Sequence, residues 1–101
     1  MKLKNDNFRR SRGGYSRLLE IRCSSCNKKL FSYQKDGPGI IKRMYVDRIY
    51  GDVDGSSLKC RNCNKLIGRL GIYEKENRPA YIIRLGTIKK TIIKSNQLIN
   101  Q

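Results

Sequence analysis

Apolar residues along this chain come in short runs, rich in β-branched and aromatic side chains and divided by turn residues, a pattern that predicts strands in preference to helices. The runs place strands at 18–23, 29–35, 40–50, 57–60, 65–73, 79–86 and 87–94. Phe31 and Tyr33 alternate with Ser32, while Ile82-Ile83 and Ile92-Ile93 are flanked by Arg84 and Lys94. Asp36-Gly37-Pro38-Gly39, the stretch from Gly51 to Ser56, and Glu76-Asn77-Arg78-Pro79 supply turns. Within 40–50, Ile41, Met44, Tyr45 and Arg48 also fit one face of a short helix, so that stretch reads either way.

The ends read differently. Residues 1–17 carry Lys2, Lys4, Arg9, Arg10, Arg12 and Arg17 against Asp6 alone, with Gly13-Gly14 in their midst, and are expected to form a flexible basic arm. Residues 95–101 have little to bury and read as a C-terminal tail. One mostly β domain over 18–94 is therefore expected in a chain of 101 residues. With 38% hydrophobic residues, no Trp and two Phe, its core is modest, which calls for a covalent or metal staple.

The four cysteines answer that need. Ile21-Arg22-Cys23-Ser24-Ser25-Cys26-Asn27-Lys28 aligns with Leu58-Lys59-Cys60-Arg61-Asn62-Cys63-Asn64-Lys65, each copy having an apolar residue, a cation, the Cys pair, then Asn-Lys. Two such turns suit a pseudo-symmetric tetrahedral site in which each offers two sulfurs at about 2.3 Å from one zinc ion. Asn27 and Asn64 follow the second cysteine, where the chain of such a turn enters the left-handed region, and Asn is the best non-glycine choice there. Paired redox cysteines, disulfides and an iron or iron–sulfur centre compete with zinc. Redox pairs sit at a helix start within an α/β pattern that this sequence lacks, and disulfides need export. The first residues lack the apolar stretch of a secretory signal, and no window approaches the ~20 apolar residues of a membrane span. The expected setting is thus reducing and cytoplasmic. Iron uses the same four thiolates and stays open.

Cys23-Ser24-Ser25-Cys26 and Cys60-Arg61-Asn62-Cys63, with strand-rich flanks, resemble the zinc-ribbon group, which includes basic ribosomal proteins, RNA polymerase subunits and transcription factors. The resemblance spans residues 20–94 and implies a small domain of short antiparallel strands around one structural Zn2+. The sequence departs from the pattern in two ways. Asn replaces the usual Gly after each pair, and the 33 residues between Cys26 and Cys60 exceed the loop of the smallest ribbons, an excess that the strand near 40–50 fills.

Charge then turns the reading toward function. There are 23 Lys plus Arg against 8 Asp plus Glu, a formal net charge of +15. Four thiolates and one divalent ion would lower this only to about +13. Such an excess points to a polyanionic partner. Lys28, Lys29, Arg61 and Lys65 form a cationic knob at the two Cys turns, and Arg9, Arg10, Arg12, Tyr15 and Arg17 combine guanidinium groups with an aromatic in the arm. Guanidinium forks onto phosphate and tyrosine stacks on an unpaired base, which suits RNA more than DNA. The expected role is scaffolding by a nucleic-acid-binding protein, RNA-associated, in the ribosome or another large ribonucleoprotein. The alternatives are a protein–protein adaptor that adds strand 87–94 to a partner sheet, and a DNA-binding regulator on the transcription machinery.

Other features point elsewhere. Phe31, Tyr33, Tyr45, Tyr50, Tyr73 and Tyr81 are expected mostly in the core. Asp52-Val53-Asp54-Gly55 opens like a calcium loop but lacks the later ligands. Enzymatic activity is not expected: the chain has no His and no Gly-rich phosphate loop, and four thiolates leave no open metal position for water. No membrane partner or small-molecule substrate is expected.

Overall fold

The computed structural model describes residues 3–93. Its elements in chain order are a short helix α1 (Asn7–Ser11), β1 (Ser16–Cys23), β2 (Lys29–Asp36), β3 (Arg43–Tyr45), a single 3-10 turn at Val46–Arg48, β4 (Ile49–Tyr50), β5 (Ser57–Lys59), β6 (Leu66–Tyr73), β7 (Arg78–Ile83) and β8 (Ile88–Ile92). They form two antiparallel four-stranded sheets, ordered β4-β2-β1-β8 and β3-β7-β6-β5. Among the described residues no helix is long and apolar enough to cross a membrane.

The expected strands over 18–23, 29–35, 57–60, 65–73, 79–86 and 87–94 all appear, with ends shifted by a few residues; position 94 and the tail 95–101 lie outside the described residues. The stretch 40–50 divides in two. β3 pairs with β7 in the second sheet, and after the 3-10 turn β4 pairs with β2 in the first, so the segment crosses from one sheet to the other. That crossing explains the mixed periodicity. The turn expected at 76–79 also moves: Arg78 and Pro79 belong to β7, and Asn77 in the left-handed region (φ 50°) closes the hairpin.

Leu19, Ile21, Phe31 and Tyr33 from the first sheet and Met44, Leu58, Ile67 and Tyr81 from the second make the common core, which Cys23 and Cys60 join at one end. Tyr33 and Tyr81 are buried with their hydroxyls satisfied, the first accepting from the Tyr45 amide at 3.0 Å and the second donating to Gly55 O at 2.9 Å. Burial pushes the Tyr33 hydroxyl well above the usual tyrosine range. Tyr33 and Tyr81 join Phe31 in the core, as expected, whereas Tyr45, Tyr50 and Tyr73 are only half-buried, Tyr45 and Tyr73 lying against the Arg78 and Arg43 guanidinium groups.

The segment expected to be a free arm over 1–17 is instead tied to both sheets where it is described. Ser16 and Arg17 open β1, and the Lys4 backbone exchanges two hydrogen bonds with the buried Gln34 side chain, at 2.6 and 2.8 Å. Asp6 caps α1 by accepting from the Arg9 amide at 3.1 Å and also accepts from Arg48 Nη2 at 2.6 Å. Arg12 forks onto Glu76 with two bonds of 2.9 Å. Phe8 lies over the Arg78 guanidinium, 4.0 Å from ring centre to Cζ. Gly37 reinforces the attachment. Its φ of 72° and its closeness to Arg12, whose carbonyl oxygen would lie 2.6 Å from an added Cβ, admit no side chain there.

These contacts belong to one buried ionic cluster. Arg48, 1% exposed, holds Asp36 through Nε at 2.9 Å besides Asp6. Arg78, 3% exposed, holds Asp47 at 2.7 Å and Glu76 at 3.0 Å, with its guanidinium 3.7 Å from the Tyr45 ring centre. Desolvation makes each of these arginines costly unless every carboxylate stays in place, so the cluster tolerates loss of a member poorly. Arg48→Ala leaves the Asp36 carboxylate without its buried partner and is expected to cost about 3–5 kcal/mol, read as a lowered urea midpoint with unchanged slope. Arg48 donates to Asp6 and holds its carboxyl down at about 2, so this stabilisation is complete above the unfolded value near 4 and fades as pH falls toward 2. The stability gap between the wild type and Asp6→Asn should accordingly be constant above about pH 5 and narrow below pH 4, measured by denaturant titration at each pH.

Candidate metal centre

Each cysteine pair sits on the turn of a hairpin, β1 to β2 in the first sheet and β5 to β6 in the second. The two turns fold alike. In the first, the Cys23 amide donates to Lys28 O and the Asn27 amide to Cys23 O, both at 2.9 Å. In the second, the Cys60 amide donates to Lys65 O at 2.9 Å and the Asn64 amide to Cys60 O at 2.7 Å. Asn27 and Asn64 take φ values of 64° and 65°, the left-handed conformation expected for them. The half-repeat is thus repeated in backbone geometry, and the two sheets bring the cysteines of both copies together.

The sulfurs meet at that junction. Cys23 Sγ lies 3.6 Å from Cys63 Sγ, and Cys26 Sγ 3.5 Å from Cys60 Sγ. All four ligand atoms fall within 4.8 Å of one another, and none is in a disulfide. A tetrahedron with metal–sulfur bonds of ~2.3 Å has edges of about 3.8 Å, so the cluster has the dimensions of a four-thiolate metal site. Cys23 and Cys60 are buried, Cys26 is half-buried and Cys63 is exposed. Lys65 Nζ donates to Ser25 Oγ at 2.9 Å and bridges the two turns.

The surroundings favour thiolates. The Asn62 side chain and then the Lys28 amide hold the Cys26 thiol down at about 6, and the Cys26 amide lowers Cys23. The Lys65 amide pulls Cys63 down as well, but burial and the three neighbouring sulfurs outweigh it and push that thiol up to about 11. Four crowded sulfurs resist full ionisation on their own, and a divalent cation removes that conflict. Four cysteines so placed can hold one metal ion with no ligand position left over.

The other residues singled out in the sequence fall into two groups. Lys28, Lys29 and Arg61 come together with Lys59 around a groove of about 380 Å³ beside the sulfurs, floored by Phe31, Val53 and Leu58. Lys65 lies on the same turns. Lys59 was legible in the repeat, where it matches Arg22. In the N-terminal segment the expected set breaks up. Arg12 is taken by Glu76 and Tyr45, Arg10 donates to Asn7 Oδ1, and Arg9 is half-buried with its Nε unpartnered, so these three do not line a common groove. Tyr15 and Arg17 stay exposed and line a second groove, together with Lys35 and Lys90. Nothing in the sequence marks those two lysines, which only strand pairing brings together.

Compared with protein-family models, curated proteins and solved structures, the chain finds no match.

The geometry makes metal removal the decisive perturbation. Structural four-thiolate sites supply about 10–16 kcal/mol of apparent binding energy, comparable with the whole stability of a small domain. Purified protein is expected to carry one metal equivalent by elemental analysis and to lose its β circular-dichroism signal in excess chelator, regaining it when metal is restored. Cys23→Ser and Cys60→Ser should abolish stoichiometric metal binding.

Proposed function

We propose that Cys23, Cys26, Cys60 and Cys63 hold one structural Zn2+ in a zinc-ribbon-like domain. Its work is to bind nucleic acid, RNA in preference to DNA, as a non-catalytic scaffold within a ribonucleoprotein such as the ribosome. The donor set supports zinc: four cysteine sulfurs within 4.8 Å of one another suit a cation that takes four thiolates in its structural sites. Zinc would fix the two turns relative to each other, and these present Lys28, Lys29, Lys59 and Arg61 around one concavity. That groove is the observation on which the nucleic-acid reading rests. Four cations converge there, and Asp52 is the one acidic side chain among the described residues lining it. Groups of this kind attract phosphates by releasing their counterions, and the apolar floor gives bases a dry contact.

The adaptor reading has one observation in its favour, since among the described residues β8 ends its sheet, with β1 as its neighbour. Lys89 and Lys90 on that strand disfavour edge pairing with another chain and fit an anionic partner better.

Binding of a labelled single-stranded RNA across a salt series tests the reading. Four phosphate contacts predict that log Kobs falls with log salt at a slope of about −3, and more contacts steepen it. Duplex DNA should compete less well than RNA. A slope near zero would reject electrostatic binding, and stronger competition by duplex DNA would favour the transcription-regulator alternative.

A further inference from the structure

The second cationic groove, remote from the cysteines, has the make-up of a ligand site. Arg17 opens β1 and pairs in register with Lys35 on β2, while Lys90 lies on β8 opposite Ile21, on the same pleat face of β1 as Arg17. Their side chains line a groove of about 300 Å³ with Leu19, Pro38 and Ile92 as its apolar walls and Tyr15, 43% exposed, at its lip. No carboxylate lines it among the described residues. The adjoining Asp36 turns away, accepting from Ser16 Oγ at 2.6 Å, Gln34 Nε2 at 2.9 Å and Arg48 Nε at 2.9 Å. Among the described residues Lys35 donates from Nζ to a carbonyl, Gly37 O, at 2.6 Å.

We propose that Tyr15, Arg17, Lys35 and Lys90 form a slot for one unstacked nucleotide of single-stranded RNA, with phosphate on the three cations and base against Tyr15, Pro38 and Ile92. The inference rests on the nucleic-acid reading above and adds a second contact point to it. The lining holds three like charges and no carboxylate, and the adjoining Asp36, already bridged to Arg48, offsets them only in part, a cost that a phosphodiester relieves. Burial, and after it the charges of Lys90 and Arg17, already lower the Lys35 ammonium from its ordinary value. The apolar wall beside these charges separates the site from a plain cation patch, because it gives a base somewhere to lie. A duplex keeps its bases within the stack, so this wall selects single strands. β1 separates the slot from the cysteine turns by six residues, about 20 Å of extended chain, so one strand of RNA can contact both grooves.

The test uses the metal-loaded full chain and a fluorescein-labelled oligouridylate carrying thiouridine for photo-crosslinking. Lys35→Gln/Lys90→Gln is expected to reduce the magnitude of the salt slope by about 1.4, at 0.7 per lost contact on a single strand. Tyr15→Leu keeps the backbone bond from the Gly37 amide to Tyr15 O and should weaken binding about 5-fold or more with no change of slope. Mass spectrometry should find the crosslink at Tyr15. Unchanged thermal unfolding and metal content establish that the variants are folded. If the wild type binds RNA while both variants bind equally well and the crosslink maps elsewhere, the slot is wrong and the nucleic-acid reading stands. If the wild type binds no oligouridylate at low salt, the nucleic-acid reading itself fails. Displacement by free uridine monophosphate at the oligomer's own concentration would overturn the assignment to a polymer, and equal displacement by oligothymidylate would overturn the preference for RNA.

Discussion

Four sulfurs from two hairpins, one in each sheet, converge at one end of a core to which each sheet gives only four large apolar side chains. Cys23 and Cys26 belong to the first sheet's hairpin and Cys60 and Cys63 to the second's, so any ion they share is bonded to both layers at once. The arginine cluster does the corresponding work at the far end. Asp36 at the end of β2 meets Arg48, and Arg78 at the start of β7 meets Asp47 from the crossing segment. The core residues fill the space between these two fastenings. A domain with 38% hydrophobic residues and no tryptophan is thus clamped at both ends of a thin apolar layer.

The two fastenings differ in how readily a sequence displays them. The cysteine turns are local: residues three apart make the pair, one Asn sets the left-handed exit, and the pattern occurs twice. Every determinant lies within eight residues, so the strands, turns and ligands around it were readable. The arginine cluster joins Arg12 to Glu76, Arg48 to Asp6 and Arg78 to Asp47, across 64, 42 and 31 positions, and its members look like ordinary surface charges. Arg48 and Arg78, both buried, run against the usual preference of the residue, and only the folded chain reveals their partners. For the same reason residues 1–17 read as an arm. Their anchors, Asp6, Phe8 and Arg12, have no meaning until Arg48, Arg78 and Glu76 are placed. Lys35 and Lys90 were hidden in a similar way, by a register no local pattern encodes.

The cluster also draws unevenly on the two signs of charge. It engages Asp6, Asp36, Asp47 and Glu76, half of the eight acidic side chains, but only Arg12, Arg48 and Arg78 from the 23 cations, with the Asp6 and Asp47 side chains still 38% exposed. Among the described residues eighteen cations and four carboxylates remain outside it. The cluster thus draws on acidic side chains in greater proportion than on basic ones, and basic residues dominate the charged lining of both grooves.

The doubled hairpin bears on how such a domain can arise and assemble. One copy carries two sulfurs and one apolar sheet face, so by itself it is half a coordination sphere and half a core. The second copy supplies the other two sulfurs and the other half of the core, as each partner does for the other in a pair of like subunits. Fusion of two such hairpins into one polypeptide would turn an association that depends on concentration into an intramolecular closure. The segment between Cys26 and Cys60, which crosses from one sheet to the other, then acts as the tether that makes a dimer-like contact permanent.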